Sequence, residues 1–339
     1  MTESSLPTAT FSRATLLSRI AGAVALLVLA ALIALPWWGD RATMRLVGEF
    51  STYLALASLW NLLAGYTGLV SVGQQAYVGL GGYVLFGFAI LLGLNPLLGI
   101  AAAGIIGAVA ALPVARLIFR LNGAYFAIGT WVIAEVFRLS FANLSALGGG
   151  SGISLPVAAV KGIASSRDLR EQLIYWIALA LAAGSIAAVY LLLRSRTGLA
   201  LTAIRDSEVA SSSLGVRIGR TKLWVYVVVA GITAMVGALI FLQKLRISPD
   251  AAFSVNDWTA FVIFIVVIGG IGTIEGPIIG TLVYFLLREF LADLGTVYLL
   301  ILGALAIIIM LVAPKGIWGL IAGRFGIQLF PVGTRVEWK

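Results

Sequence analysis

The sequence predicts an all-α fold: a polytopic transmembrane helical bundle of about nine to ten spans, including broken or half-length helices. Three observations predict it. Of 339 residues, 61% are hydrophobic and only 11% charged, against about 25% charged in an average soluble domain. Mean hydropathy is +1.06. Apolar runs recur at the length of roughly 20 residues needed to cross a hydrocarbon core. The 39 glycines fit this class, because Gly is commoner in membrane helices than in soluble ones.

Charge and composition narrow the function. The 23 basic and 14 acidic residues leave a net charge of +9. The basic residues lie between apolar runs, which is a positive-inside pattern rather than a nucleic-acid footprint. Nucleic acid is therefore not an expected partner, whereas membrane lipid is. The chain has neither Cys nor His, which excludes disulfides, thiol nucleophiles, imidazole catalysis and most transition-metal sites. No Gly-Lys dipeptide occurs, so there is no P-loop. No cofactor or metal site is expected in this chain.

Taken in order, a polar tail (1–19) carries Arg13 and Arg19 ahead of a first apolar run at 20–38. That run is long, lacks a clear small-x-small cleavage site and is followed closely by another, so it reads as a retained helix rather than a signal peptide. Further spans are expected at 46–64, 69–94, 97–119, 123–141, 172–193, 223–242, 258–272, 277–292 and 296–312. The stretch 258–292 could form one tilted helix. Gly269, Gly270, Gly272 and Pro277 interrupt it, and a break there belongs at a membrane face or against protein, because lipid cannot satisfy the freed backbone groups. The membrane-embedded body thus covers 20–313 and a second tail 314–339. Trp37, Trp38, Trp176, Trp224 and Trp258 fall near span ends and read as interfacial anchors.

With ten spans and a cytoplasmic N-terminus, the inside segments hold 14 of the 23 basic residues and five acids (Glu3, Asp206, Glu208, Glu275 and Glu337). Both termini then come out cytoplasmic. The segments 143–171 and 244–257 become the long outside loops.

Three constellations carry candidate chemistry. Glu135 and Arg138, one turn apart in a span, form either a self-neutralising structural pair or a part of a transport path. Between Gly65 and Gly87, closely spaced glycines including Gly79 fit tight helix packing, or a broken helix lining a path with Ser71, Gln74 and Gln75 as its polar groups. Gly269, Gly270 and Gly272 extend that candidate path. The third is the loop 194–222, with six basic and two acidic residues. Inside it, Asp206 is placed to cap a short helix, Glu208 to favour its first turn and Gly215 to stop it. Gly198, Ala200, Ala203 and Ile204 form a small-residue helix just before. The pattern predicts a docking element for a soluble partner, with Val209 and Leu214 inserting and Arg205 meeting an acidic rim or lipid phosphates.

At these residues the sequence resembles the LivM-type inner-membrane permeases of branched-chain amino acid ABC importers. Four stretches carry the resemblance: NLLAGYTGLVSVGQQAYVGLGGY (61–83), GAYFAIGTWVIAEVFRL (123–139), TGLALTAIRDSEVASSSLGVRIGRTK (197–222) and GGIGTIEGPIIG (269–280). The second favours the LivM type over the shorter partner permease LivH. The resemblance implies a bacterial inner-membrane subunit, itself not an enzyme, that pairs with a LivH-type permease, two cytoplasmic ATPases binding ATP-Mg and a periplasmic solute-binding protein. Branched-chain amino acids lead as the solute, with urea, amides and aromatic acids open. The chain departs from the family at Gln74-Gln75, Leu199, Ser211-Ser212 and Glu275. A stand-alone secondary transporter or channel is the alternative; a membrane enzyme has no nucleophile, metal set or acid-base pair to support it.

Overall fold

A computed structural model of the protein describes residues 9–12, 16–164, 166–291, 295, 297–325, 327, 329–331 and 335–338. Glu3, counted above among the inside acids, and Arg13 of the first tail lie outside the described residues, as do Lys339 and the expected span ends at 292 and 296.

The chain is helical almost throughout. A short strand β1 (Ala9–Ser12) precedes α1 (Leu16–Ile33), and α2 (Arg41–Asn61) follows. Asp40 caps α2, accepting from the Thr43 amide at 3.1 Å, and the Thr43 hydroxyl and amide together hold its carboxyl below the ordinary value. α2 runs on as a π-helical turn, Leu62–Tyr66, before α3 (Gln74–Ile90), α4 (Pro96–Ile118) and α5 (Ala124–Ala142). Asn95 caps α4 with Pro96 at its first position, where the missing N–H costs nothing.

A linker with β2 (Ile153–Ser154) and α6 (Val157–Lys161) leads to α7 (Arg167–Arg194). The elbow α8 (Arg196–Asp206) and α9 (Glu208–Ser213) precedes α10 (Ile218–Lys244). Then come β3 (Arg246–Ile247), α11 (Pro249–Ala252), a second π-helical turn at Asn256–Ala260 and α12 (Phe261–Gly269). The chain closes with α13 (Glu275–Leu291), α14 (Val297–Val312), α15 (Gly316–Phe325) and β4 (Arg335–Trp338). β1 pairs antiparallel with β4 from Ala9↔Trp338 to Ser12↔Arg335, bringing the two ends of the chain together. β2 pairs with β3 and so ties the two long loops.

Among the described residues, seven helical stretches are long and apolar enough to cross a membrane, and the chain is a multi-pass membrane protein. α2 falls outside that set because it carries Arg41, Arg45, Glu49 and Asn61; α3 and α13 are only 17 residues each. Of these three, α2 and α3 are largely buried, whereas α13 leaves Leu282, Leu286 and Phe290 exposed. α10 lies at the centre, packed on α3 and α4. Close approach there depends on glycine: a Cβ on Gly81 would sit 1.9 Å from the Ala234 carbonyl oxygen, and one on Gly237 2.2 Å from that of Val78. The break expected within 258–292 is present. The span expected to begin at 69 starts as helix only at Gln74, because residues 68–73 are irregular.

Candidate functional site

α2, α7, α10, α13 and α14 diverge at one end of the bundle, where α2 and α7 begin and α10 ends. They leave a chamber of about 810 Å³. Its wall is aromatic: Tyr53 stacks on Trp258 at 6.1 Å, and Tyr284 lies 5.5 Å from Tyr53 and 5.3 Å from Phe261. The second π-turn delivers Asp257 and Trp258 into this wall, as π-turns often do at functional sites. Charged groups ring it. Arg288 donates to both oxygens of Glu49, at 2.7 and 3.2 Å. Glu171 accepts from Arg45 at 2.9 Å and Arg167 at 3.0 Å.

None of the residues singled out for a path lines this chamber. Ser71 and Gln74 line a much smaller buried void of about 20 Å³, with Trp60, Tyr77, Tyr226 and Thr233. Gln74 donates to the Leu56 carbonyl at 3.0 Å, and Trp60 donates to that of Ser71 at 2.7 Å. Gln75 faces elsewhere, accepting from the Thr259 hydroxyl. Gly79 is pressed on Phe253, whose ring a Cβ would meet at 2.3 Å.

The Gly269–Gly280 region is likewise packed shut. A Cβ on Gly269 would stand 1.8 Å from the Gly276 carbonyl oxygen, and one on Gly280 1.9 Å from that of Ile265. Gly270 and Gly272 turn the chain at φ of 128° and 77°. Asn61, the last residue of α2, fastens this break with both ends of its amide. Its Nδ2 donates to the Thr273 carbonyl at 2.7 Å, and its Oδ1 accepts from the Gly272 amide at 2.8 Å. Glu275, buried, accepts from the amides of Leu329 and Phe330 at 3.1 and 3.0 Å, and Phe330 rests edge-on against Tyr190. The departure at Glu275 therefore has a physical role, to anchor the C-terminal segment over the sealed end.

Arg138 binds Glu135 through two nitrogens, at 2.6 and 2.9 Å, and also reaches Asp250 at 2.7 Å. The pair is thus a three-member cluster that fastens α5 to α11, and it borders neither cavity. Glu49 and Arg288, both inside expected spans, went unremarked in the sequence; ionisable groups within spans were the signal that could have found them. Trp258 is a correction. It is not an interfacial anchor but is buried, with its indole N–H donating to the Ala251 carbonyl at 2.8 Å.

The α8–α9 elbow brings a second correction. Asp206 does not cap the short helix: it is the last residue of α8 and contacts Arg205. Ser207, in extended conformation, accepts from the Ala210 amide at 3.2 Å and is the cap. A cap needs a non-helical backbone, and residue 206 is still helical. Glu208 lies in the first turn as expected and pairs with Lys222. Gly215, at φ 82°, ends the element. α8 buries Gly198, Leu201 and Ile204 on one side, while Val209 and Leu214 stand 78% and 81% exposed.

Residues 42–313 match the family described as branched-chain amino acid transport system / permease component. The chain is 30% identical over 316 residues to the high-affinity branched-chain amino acid transport system permease protein LivM of Escherichia coli (strain K12), covering 87% of this chain and 73% of that protein. It is 29% identical to the protein of the same name from Salmonella typhimurium, with the same coverage. A probable branched-chain amino acid transport permease protein LivM of Methanocaldococcus jannaschii is 31% identical over 194 residues, 55% of this chain and 52% of that one. No solved structure matches the chain.

Proposed function

The chain belongs to the branched-chain amino acid transport permease family, and on that premise we propose that it is the transmembrane permease subunit of an ATP-driven importer. It takes branched-chain or related amino acids from a periplasmic binding protein across the bacterial inner membrane. It pairs with a LivH-type permease and with two cytoplasmic ATPases that hold ATP-Mg, and carries no cofactor of its own.

The observation that carries this reading is the α8–α9 elbow. Val209 and Leu214 are held out from a short, capped helix whose neighbour α8 is anchored by Gly198, Leu201 and Ile204. Two apolar side chains exposed on a helix that is itself capped and anchored support an interaction surface at this elbow. The positive flanks Arg205, Arg217 and Arg220 support a cytoplasmic side for this surface. The pairing of β1 with β4 supports an even number of crossings. The seven apolar stretches together with α2, α3 and α13 make ten, with both termini inside. On that topology the chamber opens to the periplasm, beneath the loops 143–171 and 244–257, and the Asn61 fastening closes the cytoplasmic end.

In this arrangement the binding protein selects the solute and docks on the β2–β3 side. ATP binding by the partners, felt through the elbow, then shifts the bundle between outward-open and inward-open states. The test is co-purification with the ATPases and solute-stimulated ATP hydrolysis for Gly215→Pro and Leu214→Asp. Both variants are expected to uncouple hydrolysis from solute. Wild-type assembly and coupling in both would overturn the reading, as would ion-gradient-driven flux through the purified chain alone.

A further inference from the structure

The chamber wall divides its charged groups into two sets. Glu49 is engaged by Arg288, and Glu171 by Arg45 and Arg167. Lys244, Arg170 and Asp257 have no ion-pair partner among the described residues, although all three line the same cavity. Lys244 holds its ammonium 4.7 Å from the centroid of the ring of Trp258, the residue that follows Asp257 in the chain, and makes no ion pair with Asp257 although both line the cavity. Unlike charges on adjacent walls that remain apart leave room for a ligand carrying both complements. The aromatic surface of Tyr53, Trp258, Tyr284 and Phe261 lines the same cavity.

Resting on the reading of the chain as an amino-acid permease, we propose that the chamber is a reception site for a zwitterionic amino acid with an apolar side chain. Asp257 receives the ammonium group and Lys244 the carboxylate. The side chain lies on the aromatic wall, where burial of apolar surface is favourable. A neutral solute such as urea leaves both charges unmet, and a lone carboxylate or amine meets only one. The volume, about 810 Å³, is far larger than one small amino acid, so the bound solute stays partly hydrated. Affinity is then expected on the order of millimolar, which suits a transit site that must release its occupant.

The test exploits the absence of cysteine. Gln243→Cys places a single thiol in the chamber wall beside Lys244. In the complete importer reconstituted without binding protein, its modification by a membrane-impermeant thiosulfonate reagent is timed. L-leucine, L-leucinamide (no carboxylate) and 4-methylpentanoate (no ammonium) are the probes. Near-saturating leucine is expected to slow modification roughly tenfold, and losing either charged contact to remove most of that protection. The two analogues therefore protect little, and Asp257→Asn and Lys244→Gln each abolish protection by leucine. Asp257→Glu restores part of it, and an unchanged modification rate without solute confirms that each variant keeps the chamber.

A thiol that reacts freely but gains no protection from leucine overturns the site, as does equal protection by the three probes. Leucine uptake, with binding protein added, is measured on the same Gln243→Cys importer. Uptake without protection overturns the reception site and leaves the permease reading standing. An importer that moves no amino acid although its thiol is protected by leucine overturns the permease reading instead.

Discussion

At the end where α2 and α7 begin, the bundle keeps ionisable side chains around open volume; at the other end it uses one amide to close a seam of glycines. Glu49 and Glu171, each held in ion pairs, and Asp257, Lys244 and Arg170, which are unpaired among the described residues, line a cavity with room for water or solute. Across the molecule, Asn61 presses α2 onto the α12–α13 break, where backbones meet at distances only glycine permits. The contrast is one of accounting for polar groups. Charges can line a cavity because water satisfies them, whereas unpaired backbone groups at the turn from α12 to α13 must be matched within protein. The chamber wall is therefore rich in charge, and the closed seam in glycine, fastened by Asn61, Thr273 and Glu275.

The largest way to break this contrast is Asn61→Leu. It strands the part-buried Gly272 amide and Thr273 carbonyl, where full burial would cost roughly 1–3 kcal/mol for each unpaired group and partial access to water lowers that. The expected outcome is a marked fall in Tm of the purified chain and solute leak through the reconstituted importer without ATP. An unchanged Tm with no leak would mean the fastening is incidental. Next comes Gly81→Ala, which forces α3 away from α10 where no room exists. Overpacking of this kind costs about 1–3 kcal/mol. Stability should drop in thermal unfolding while the chamber, whose lining includes neither Gly81 nor Ala234, stays reactive to aqueous reagents.

Sequence alone reached much of this, unevenly. The helical class, the break within 258–292 and the elbow were all readable, because each is written in contiguous residues. The chamber was not. Its ion pairs join residues far apart in the chain, Glu49 to Arg288 and Arg45 to Glu171, and no local spacing encodes such meetings. Gln74 and Gln75 were recognisable as polar groups that avoid lipid. As consecutive helical residues they point about 100° apart, one to the small void and one to Thr259. Asp206 and Ser207 are comparable cap residues by type, and only the helical backbone at 206 decides between them.

That last distinction sharpens the comparison on the elbow. Ser207→Ala should cost α9 about 0.5–2 kcal/mol of local stability and reduce solute-stimulated ATP hydrolysis in part. Asp206→Ala should leave hydrolysis near wild type; the reverse order would restore Asp206 as the cap. The smallest effect is expected from Glu49→Gln. Its partner Arg288 is about as exposed as Glu49 itself, 42% against 40%, and such exposed pairs contribute about 0–1 kcal/mol. Tm should barely move, and any loss of uptake would then report on the chamber's charge rather than on its fold.

The central claim is that one end of the chain is open to water and the other sealed. It is tested most directly by two single cysteines in this cysteine-free chain. Gln243→Cys lies in the chamber wall and Gln74→Cys at the buried void below it. Each is exposed to an impermeant thiol reagent from either side of the membrane, in the importer without nucleotide. The account predicts rapid modification at 243 from the periplasmic side only, and none at 74 from either side. Modification at 74 as fast as at 243, or at 243 from the cytoplasmic side, would contradict it.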